Sequence, residues 1–337
     1  MKTIASRLLT VVFMTVTLLL FCPLLRCEAQ AADHETVYEA AIHLYADNST
    51  APLNAAVSDS GVYQESTWQK ITYQGASGRV SGLLFLPTKP AAAAAGVAKI
   101  LPCLILLHGL GGSKEQMIPV ARFMAGIGYA SWAIDDVGAG DRKAPGGALP
   151  VYSTIPELAA GVCADTETTV VDQRRGLDYL DTRSELDHSR YGVVGFSLGA
   201  LVGGVFSAVD PRIKAAILVS GGGNLGEIMV AEAKINVAFG KMYPQLLSTA
   251  DPVQLEGLLQ NIDPINFVAH IAPRPLLMEH GRLDTIIPPD TAQALFDAAE
   301  QPKQIDWYPN AGHPPPPMTI FPAVSAFLYK YLPLAGQ

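Results

Sequence analysis

From Leu101 onward the chain alternates short, unbroken apolar runs with amphipathic stretches. An unbroken run marks a strand buried on both faces, and an amphipathic stretch marks a helix covering it. The runs predict strands over Leu101–Leu107, Tyr129–Ile134, Tyr191–Val194, Ile213–Val219, Pro275–Glu279 and Gln304–Tyr308. The stretches between them predict helices over Lys114–Ala125, Asp165–Leu180, Leu198–Ala208, Pro289–Ala299 and Met318–Tyr331. This alternation requires right-handed crossovers and a mostly parallel central sheet flanked by helices, an α/β fold. One stretch breaks the rhythm: residues 224–271 show helical periodicity around Ile228–Phe239 and Pro252–Leu259 and are too long for a single crossover helix. They predict a helical cap over the strand ends.

Before Leu101 the pattern differs. β-Branched and aromatic residues over Thr67–Tyr73 and Val80–Leu86, parted by Gly75, Ser77 and Gly78, predict an N-terminal hairpin. Residues 30–66 hold helix formers over Thr36–Tyr45 and then a polar, turn-rich stretch, read as an arm packed on the domain. Ala91–Ala95 with Gly96 is too short to hold a helix by itself and predicts a surface loop. At the N-terminus Lys2 and Arg7 precede an apolar run from Leu8 to Leu20, and small residues follow at Ala29 and Ala31. This predicts a signal peptide over 1–29 and a mature chain that is secreted or periplasmic. The rival reading is a retained anchor, because the run continued to Leu25 approaches the roughly 20 residues a bilayer needs. Pro23, Arg26 and Glu28 weigh against it, so a membrane is expected as a partner only if the leader stays. The expected division is leader 1–29, arm 30–66, and one domain over 67–337 with the cap at 224–271.

Charge narrows the possible partners. The 337 residues carry a formal charge of −8, and the leader is itself basic, so the remainder is more acidic still. An acidic chain without a basic stripe is a poor nucleic-acid binder. Of the four cysteines, Cys22 and Cys27 lie in the leader, which leaves Cys103 and Cys163. Placed at opposite ends of a strand roughly 17 Å long, these two are too far apart to bridge and are expected to be unpaired. Asn48-Ser49-Thr50 is a glycosylation sequon with meaning only in a eukaryotic secretory host.

Reactive residues belong at the carboxyl ends of parallel strands. After the strand ending at Val194 comes Gly195-Phe196-Ser197-Leu198-Gly199, entered from a strand and left through the small-residue helix Ala200–Ala208. A nucleophile on so sharp a turn leaves no room for side chains two positions away, and the helix after it presents N–H groups to a forming oxyanion. A serine hydroxyl also needs a base, and the base needs an orienting group. Asp284, in Gly281-Arg282-Leu283-Asp284, and His313, in Asn310-Ala311-Gly312-His313, follow later strands in the order Ser, Asp, His. Alone, Asp284 reads as a turn cap and His313 as a structural histidine. The oxyanion donors expected are the backbone N–H groups of Leu198 and, from His108-Gly109-Leu110-Gly111-Gly112, of Leu110, with His108 shaping that loop.

Asp135-Asp136-Val137-Gly138-Ala139-Gly140-Asp141-Arg142 invites a nucleotide-binding reading, but no dinucleotide or P-loop fingerprint is present. It is read as a structural loop in which Asp135 or Asp141 and Arg142 make buried hydrogen bonds. The other histidines show no metal-ligand spacing, so neither a metal nor a cofactor is expected.

With these loops in place, the chain from about Thr67 to Leu332 resembles the α/β-hydrolase superfamily. The stretch Asp172–Leu180 and then Ser189 to Ser197 resembles the branch of dienelactone-hydrolase-like proteins, bacterial acetyl xylan esterases and prolyl-oligopeptidase-like catalytic domains. Dienelactone hydrolases themselves carry cysteine where this chain has Ser197. The resemblance implies acyl transfer, and a serine nucleophile implies a carboxylesterase acting on small-molecule or polymer-linked esters. A prolyl-oligopeptidase-like serine peptidase, usually preceded by a large propeller, is one alternative; a non-catalytic hydrolase-fold binding protein is the other. The particular ester, the acyl length and the oligomeric state stay open.

Overall fold

The computed structural model describes residues 34–47, 51–88 and 100–334. The leader, the sequon and the loop predicted at Ala91–Gly96 lie outside the described residues. Among the described residues nine strands form one sheet: β1 (Ala56–Val62), β2 (Ser66–Gln74), β3 (Arg79–Pro87), β4 (Leu101–Leu107), β5 (Ala130–Ile134), β6 (Leu186–Phe196), β7 (Ile213–Val219), β8 (Leu276–Gly281) and β9 (Lys303–Tyr308). Their order is β1-β2-β3-β5-β4-β6-β7-β8-β9. The first three run antiparallel to their neighbours, and β4 through β9 run parallel. This is the mostly parallel, helix-flanked α/β sheet expected from the alternating pattern, in the arrangement that the resemblance to α/β-hydrolases implies.

Period-two alternation explains how one strand feeds two cores. Ile105 and Leu107 of β4, with Val193, Leu218 and Met278, face helices α1 (residues 34–41), α3 (Ile155–Leu180), α4 (Leu198–Val209) and α9 (Pro289–Ala298). Leu104 and Leu106, with Val194, Ile217 and Leu277, face α2 (Ile118–Gly126) and α10 (Pro317–Tyr331). Each such aliphatic side chain contributes about 1.5–3 kcal/mol by leaving water. The cap is α5 (Leu225–Lys234), α6 (Ala238–Met242), α7 (Pro244–Leu247) and α8 (Pro252–Leu259), closed by 3₁₀ turns at Pro264–Asn266 and Val268–Ile271. Leu225, Ile228, Met229, Leu255 and Leu259 pack there on Leu158 and Leu201 of the body, so the cap has its own core.

Three elements differ from the sequence pattern. The polar stretch before Ser66 contains a strand, β1, whose residues are almost all exposed. An edge strand paired only to β2 buries no face, so neither alternation nor an apolar run reveals it. Helix α3 begins at Ile155 rather than Asp165. Thr154 caps it by accepting from the Glu157 N–H at 3.3 Å. Its first turns bury Leu158 and Ala159 against the cap, whereas Val170, Leu177 and Leu180 face the sheet, so the apolar stripe changes partner partway along. Residues Lys114–Met117 form a 3₁₀ turn, and the α-helix starts only at Ile118.

Lys114 explains that turn. Its side chain is wholly buried; Nζ lies 2.6 Å from Asp135 Oδ2 and 3.0 Å from Asp141 Oδ2, while its N–H donates to Asp135 Oδ1 at 2.8 Å. Arg142 pairs with buried Asp172 at 2.7 Å and donates to the Asp135 carbonyl at 3.2 Å. The glycine- and acid-rich loop after β5 is therefore a structural clamp, as expected, but its cation Lys114 comes from the loop after β4. Both Cys103 and Cys163 are free.

Removing one member of a buried ion pair strands the other. Lys114→Met is expected to lower unfolding stability by about 3 kcal/mol, with Lys114→Met/Asp135→Asn recovering part of that loss. Urea unfolding of the three proteins measures it, and an unchanged midpoint in the single variant would refute the clamp.

Candidate active site

Ser197 stands alone between the end of β6 at Phe196 and the start of α4 at Leu198, with φ 56° and ψ −120°. A non-glycine residue in that region costs about 1–3 kcal/mol and needs surroundings that impose it. Here the imposition is packing. A Cβ on Gly195 would overlap the Gly199 backbone, and one on Gly199 would overlap the Leu107 carbonyl. The Ser197 N–H donates to the Val219 carbonyl at 2.9 Å, and its own carbonyl accepts from Ala200 at 2.8 Å and Leu201 at 3.1 Å. The turn is thus tied to β7 on one side and to α4 on the other.

The loops after β8 and β9 bring two more side chains to the same place. They are bonded to each other: the Arg282 N–H donates to the Tyr308 carbonyl at 2.9 Å, and the Leu283 N–H to the Ala311 carbonyl at 2.9 Å. His313 Nε2 lies 2.7 Å from Ser197 Oγ, and His313 Nδ1 lies 2.8 Å from Asp284 Oδ2. The other Asp284 oxygen accepts from the Ile286 N–H at 3.0 Å and the Ile287 N–H at 2.9 Å. Burial would raise the Asp284 pKa, but the hydrogen bond and charge of His313, with the Ile287 amide, more than offset it and hold the carboxyl below its usual value. The sequence pattern assigns His280 no part. It is fully buried, donates from Nε2 to the Ile287 carbonyl at 3.0 Å and lies 3.7 Å from Asp284 Oδ2. Burial lowers its pKa, so the ring behind Asp284 is neutral.

Leu198 and Leu110, the two residues expected to offer backbone donors, line one cavity together with Ser197. The Leu198 N–H opens a helix and has no intrahelical acceptor. His108 is buried under the Leu110 loop; its Nδ1–H donates to the Gly109 carbonyl at 2.8 Å, and its Nε2 accepts from the Asp136 N–H at 3.2 Å. Nδ1 is thus spent on the Leu110 loop and Nε2 on the loop after β5, which ties the two loops together and suits the shaping role read from the sequence.

The cavity encloses about 50 Å³ beneath the cap, between α3, α4, α5 and α6, and its walls are Leu, Val, Ile, Met and Phe side chains for the most part. One acid lines it that the sequence motifs do not single out, Glu232 of α5. A signal was available: Leu225, Ile228, Met229 and Glu232 fall on one helix face, so an acid occupies a position in the buried stripe. Among the described residues no group of three or more His, Cys, Asp and Glu side chains is arranged to hold a metal ion.

Residues 102–243 match the family described as alpha/beta hydrolase fold. YtaP of Bacillus subtilis (strain 168) is 28% identical over 131 residues, which span 34% of this chain and 42% of that relative's length. Among solved structures, the acetyl xylan esterase from Paenibacillus sp. R4 superposes with a TM-score of 0.67 at 23% identity, covering 89% of this chain and 95% of the other. Acetyl xylan esterase 1 from Thermoanaerobacterium sp. JW/SL YS485 gives 0.68 at 20% identity, over 89% and 94%. The Pyrococcus horikoshii acylaminoacyl peptidase gives 0.59 at 15% identity, over 81% of this chain but only 43% of the peptidase. The chain has the α/β-hydrolase fold, and acetyl xylan esterases and related esterases are its structural neighbours.

Proposed function

We propose that the protein is an exported serine hydrolase of carboxylic esters, working through an acyl-enzyme on Ser197. The observation that carries this reading is the continuous hydrogen-bond chain from Ser197 Oγ through His313 to Asp284 Oδ2, at 2.7 and 2.8 Å. In the first step Ser197 Oγ attacks the acyl carbon as its proton passes to His313 Nε2. Asp284, bonded to Nδ1, fixes the tautomer that leaves Nε2 free to accept, and it stabilises the imidazolium that forms. The N–H groups of Leu198 and Leu110 receive the oxyanion. His313 returns the proton to the departing alcohol, and water, deprotonated by the same nitrogen, then releases the acid.

The substrate class proposed is esters of short acyl chains, carried on a small alcohol or a polymer. A cavity of about 50 Å³ has room for a few water-sized groups, so acyl chains of a few heavy atoms fit it, and the esterase neighbours favour the short end of that range. Export, to the outside or the periplasm, rests on the Lys2, Arg7 and Leu8–Leu20 pattern alone.

A fluorophosphonate probe is expected to label the folded protein and to fail on Ser197→Ala; an unlabelled native protein would end the esterase reading. His313→Ala is expected to reduce kcat on p-nitrophenyl acetate by roughly 10⁴-fold or more. Asp284 adds a stability test with a definite sign. Because its folded-state pKa is lowered, its contribution is full above the ordinary carboxylate range and is lost as pH falls through the lowered value. Thermal midpoints measured from neutral pH down through the acid range should therefore show wild type and Asp284→Asn converging below about pH 4. A gap that persists there would refute the stabilising role of the ionised Asp284 carboxylate.

A further inference from the structure

Three polar side chains interrupt the apolar wall of the cavity: the hydroxyls of Ser197 and Thr166 and the carboxyl of Glu232. Ser197 has a place in the reaction. Glu232 has none, yet it is 4% exposed and enters no ion pair among the described residues. Its one hydrogen-bond partner there is the Phe239 N–H, which donates to Oε2 at 3.1 Å. The position is built rather than incidental, because the Phe239 amide lies at the start of α6, and Glu232 ties the turn between α5 and α6 to the cavity wall.

Protonation decides what this group offers. Burial pushes its pKa up to about 8, and the Phe239 amide offsets only part of that. At neutral pH the carboxyl keeps its proton. A protonated carboxyl has one O–H donor. With Oε2 already accepting from the amide, that donor sits on Oε1 and has no acceptor among the described residues.

On the acyl-enzyme reading, the place of His313 indicates which part of the ester meets it. The leaving alcohol must stand beside His313 to take its proton, and His313 is not among the residues that line the cavity, whereas Ser197 and Leu198 are. The cavity therefore receives the acyl chain, which stays bonded to Ser197 Oγ after the alcohol departs. We propose that Glu232 sets acyl specificity: it selects chains carrying a hydrogen-bond-accepting oxygen, as ether, hydroxyl or carbonyl, a few atoms beyond the ester carbon, over plain alkanoyl chains. This rests on the acyl-enzyme reading above. A cationic chain is disfavoured, since it requires two desolvated charges in an apolar space.

The test compares kcat/KM for p-nitrophenyl 3-methoxypropanoate and p-nitrophenyl pentanoate, which differ by one oxygen in place of a methylene. Wild type, Glu232→Gln and Glu232→Leu are assayed from pH 6 to 9, with circular dichroism confirming that each is folded. At pH 6 to 7 the ratio in favour of the methoxy ester should fall about fivefold to tenfold in Glu232→Leu, the loss of one hydrogen bond. Glu232→Gln, which keeps an N–H donor, should retain most of it. In wild type the ratio should decline as pH rises through about 8, where the donor becomes an acceptor, and in Glu232→Gln it should stay level. The ratio of two esters cancels the ionisation of His313. The other titratable or charged groups on the surrounding elements are Glu157, Cys163, Asp165, Glu167, Asp172, Arg174, Arg175, Asp178 and Tyr179 of α3, Glu227 and Lys234 of α5, Lys241 of α6 and Glu256 of α8. None of them is among the causes of the Glu232 shift, which are burial and the Phe239 amide. A ratio equal in wild type and Glu232→Leu, or one independent of pH in wild type, overturns the inference while leaving the esterase reading intact. If Glu232→Leu does not fold, Glu232→Gln and the wild-type pH profile decide by the same criteria. If folded wild type hydrolyses p-nitrophenyl acetate but neither of these esters, the inference is overturned and the esterase reading stands; absence of hydrolysis of all three overturns both readings.

Discussion

Gly199 is packed against the end of β4 so closely that a Cβ would overlap the Leu107 carbonyl, and the position of Ser197 depends on that contact. β4 and β6 are parallel neighbours with Leu107 opposite Gly195, so the two strands end level. Helix α4 then has to begin directly over the end of β4, and a single residue must complete the reversal from strand to helix. Ser197 takes the whole of that strain in its positive φ. The consequences are geometric: the hydroxyl rises at the strand ends, the Leu198 amide opens a helix beside it, and the Leu110 loop shares the same cavity. Because β7, β8 and β9 continue the parallel register, the loops carrying Asp284 and His313 emerge at the same edge, where two backbone hydrogen bonds hold them together.

Three buried carboxyl groups around this edge illustrate how surroundings assign different work to one functional group. Asp135 meets the ammonium of Lys114 and serves as an anchor for two loops. Asp284 meets an imidazole and two amides, which favour its charged form and hold it ionised. Glu232 meets one amide and otherwise apolar walls, which favour its neutral form. The number of donors within reach decides the outcome in each case, since burial alone raises the pKa of any carboxyl.

The parts of the fold that the sequence revealed are those whose residues have to be apolar. β4 and β7 fall where their unbroken runs predict, because both faces of these strands are covered by helices. The cap was legible for a related reason: the apolar residues of α5 and α8 recur at helical spacing over a core of their own. β1 was not legible, since an exposed edge strand is held by backbone pairing that any side chain permits. The first turns of α3 were missed because their apolar residues face the cap while the later ones face the sheet, so no single stripe runs the length of the helix. Lys114 was missed as well, because a lysine at a loop start is usually solvated and nothing local marks its partner Asp135 on another loop.

By itself, then, the sequence determined the layered order of strands and helices, the place of the cap, and the identities of Ser197, Asp284 and His313 as residues at strand ends. Each of these is written locally, in hydrophobic period or in turn chemistry. Only the tertiary structure decided that the three side chains stand within hydrogen-bond reach, that His280 backs Asp284, and that Glu232 lines the cavity beside Ser197 with one amide as its hydrogen-bond partner. Those facts depend on distances between residues far apart in the chain and on the number of donors each buried group can find. Neither quantity exists until the sheet and cap have closed around them.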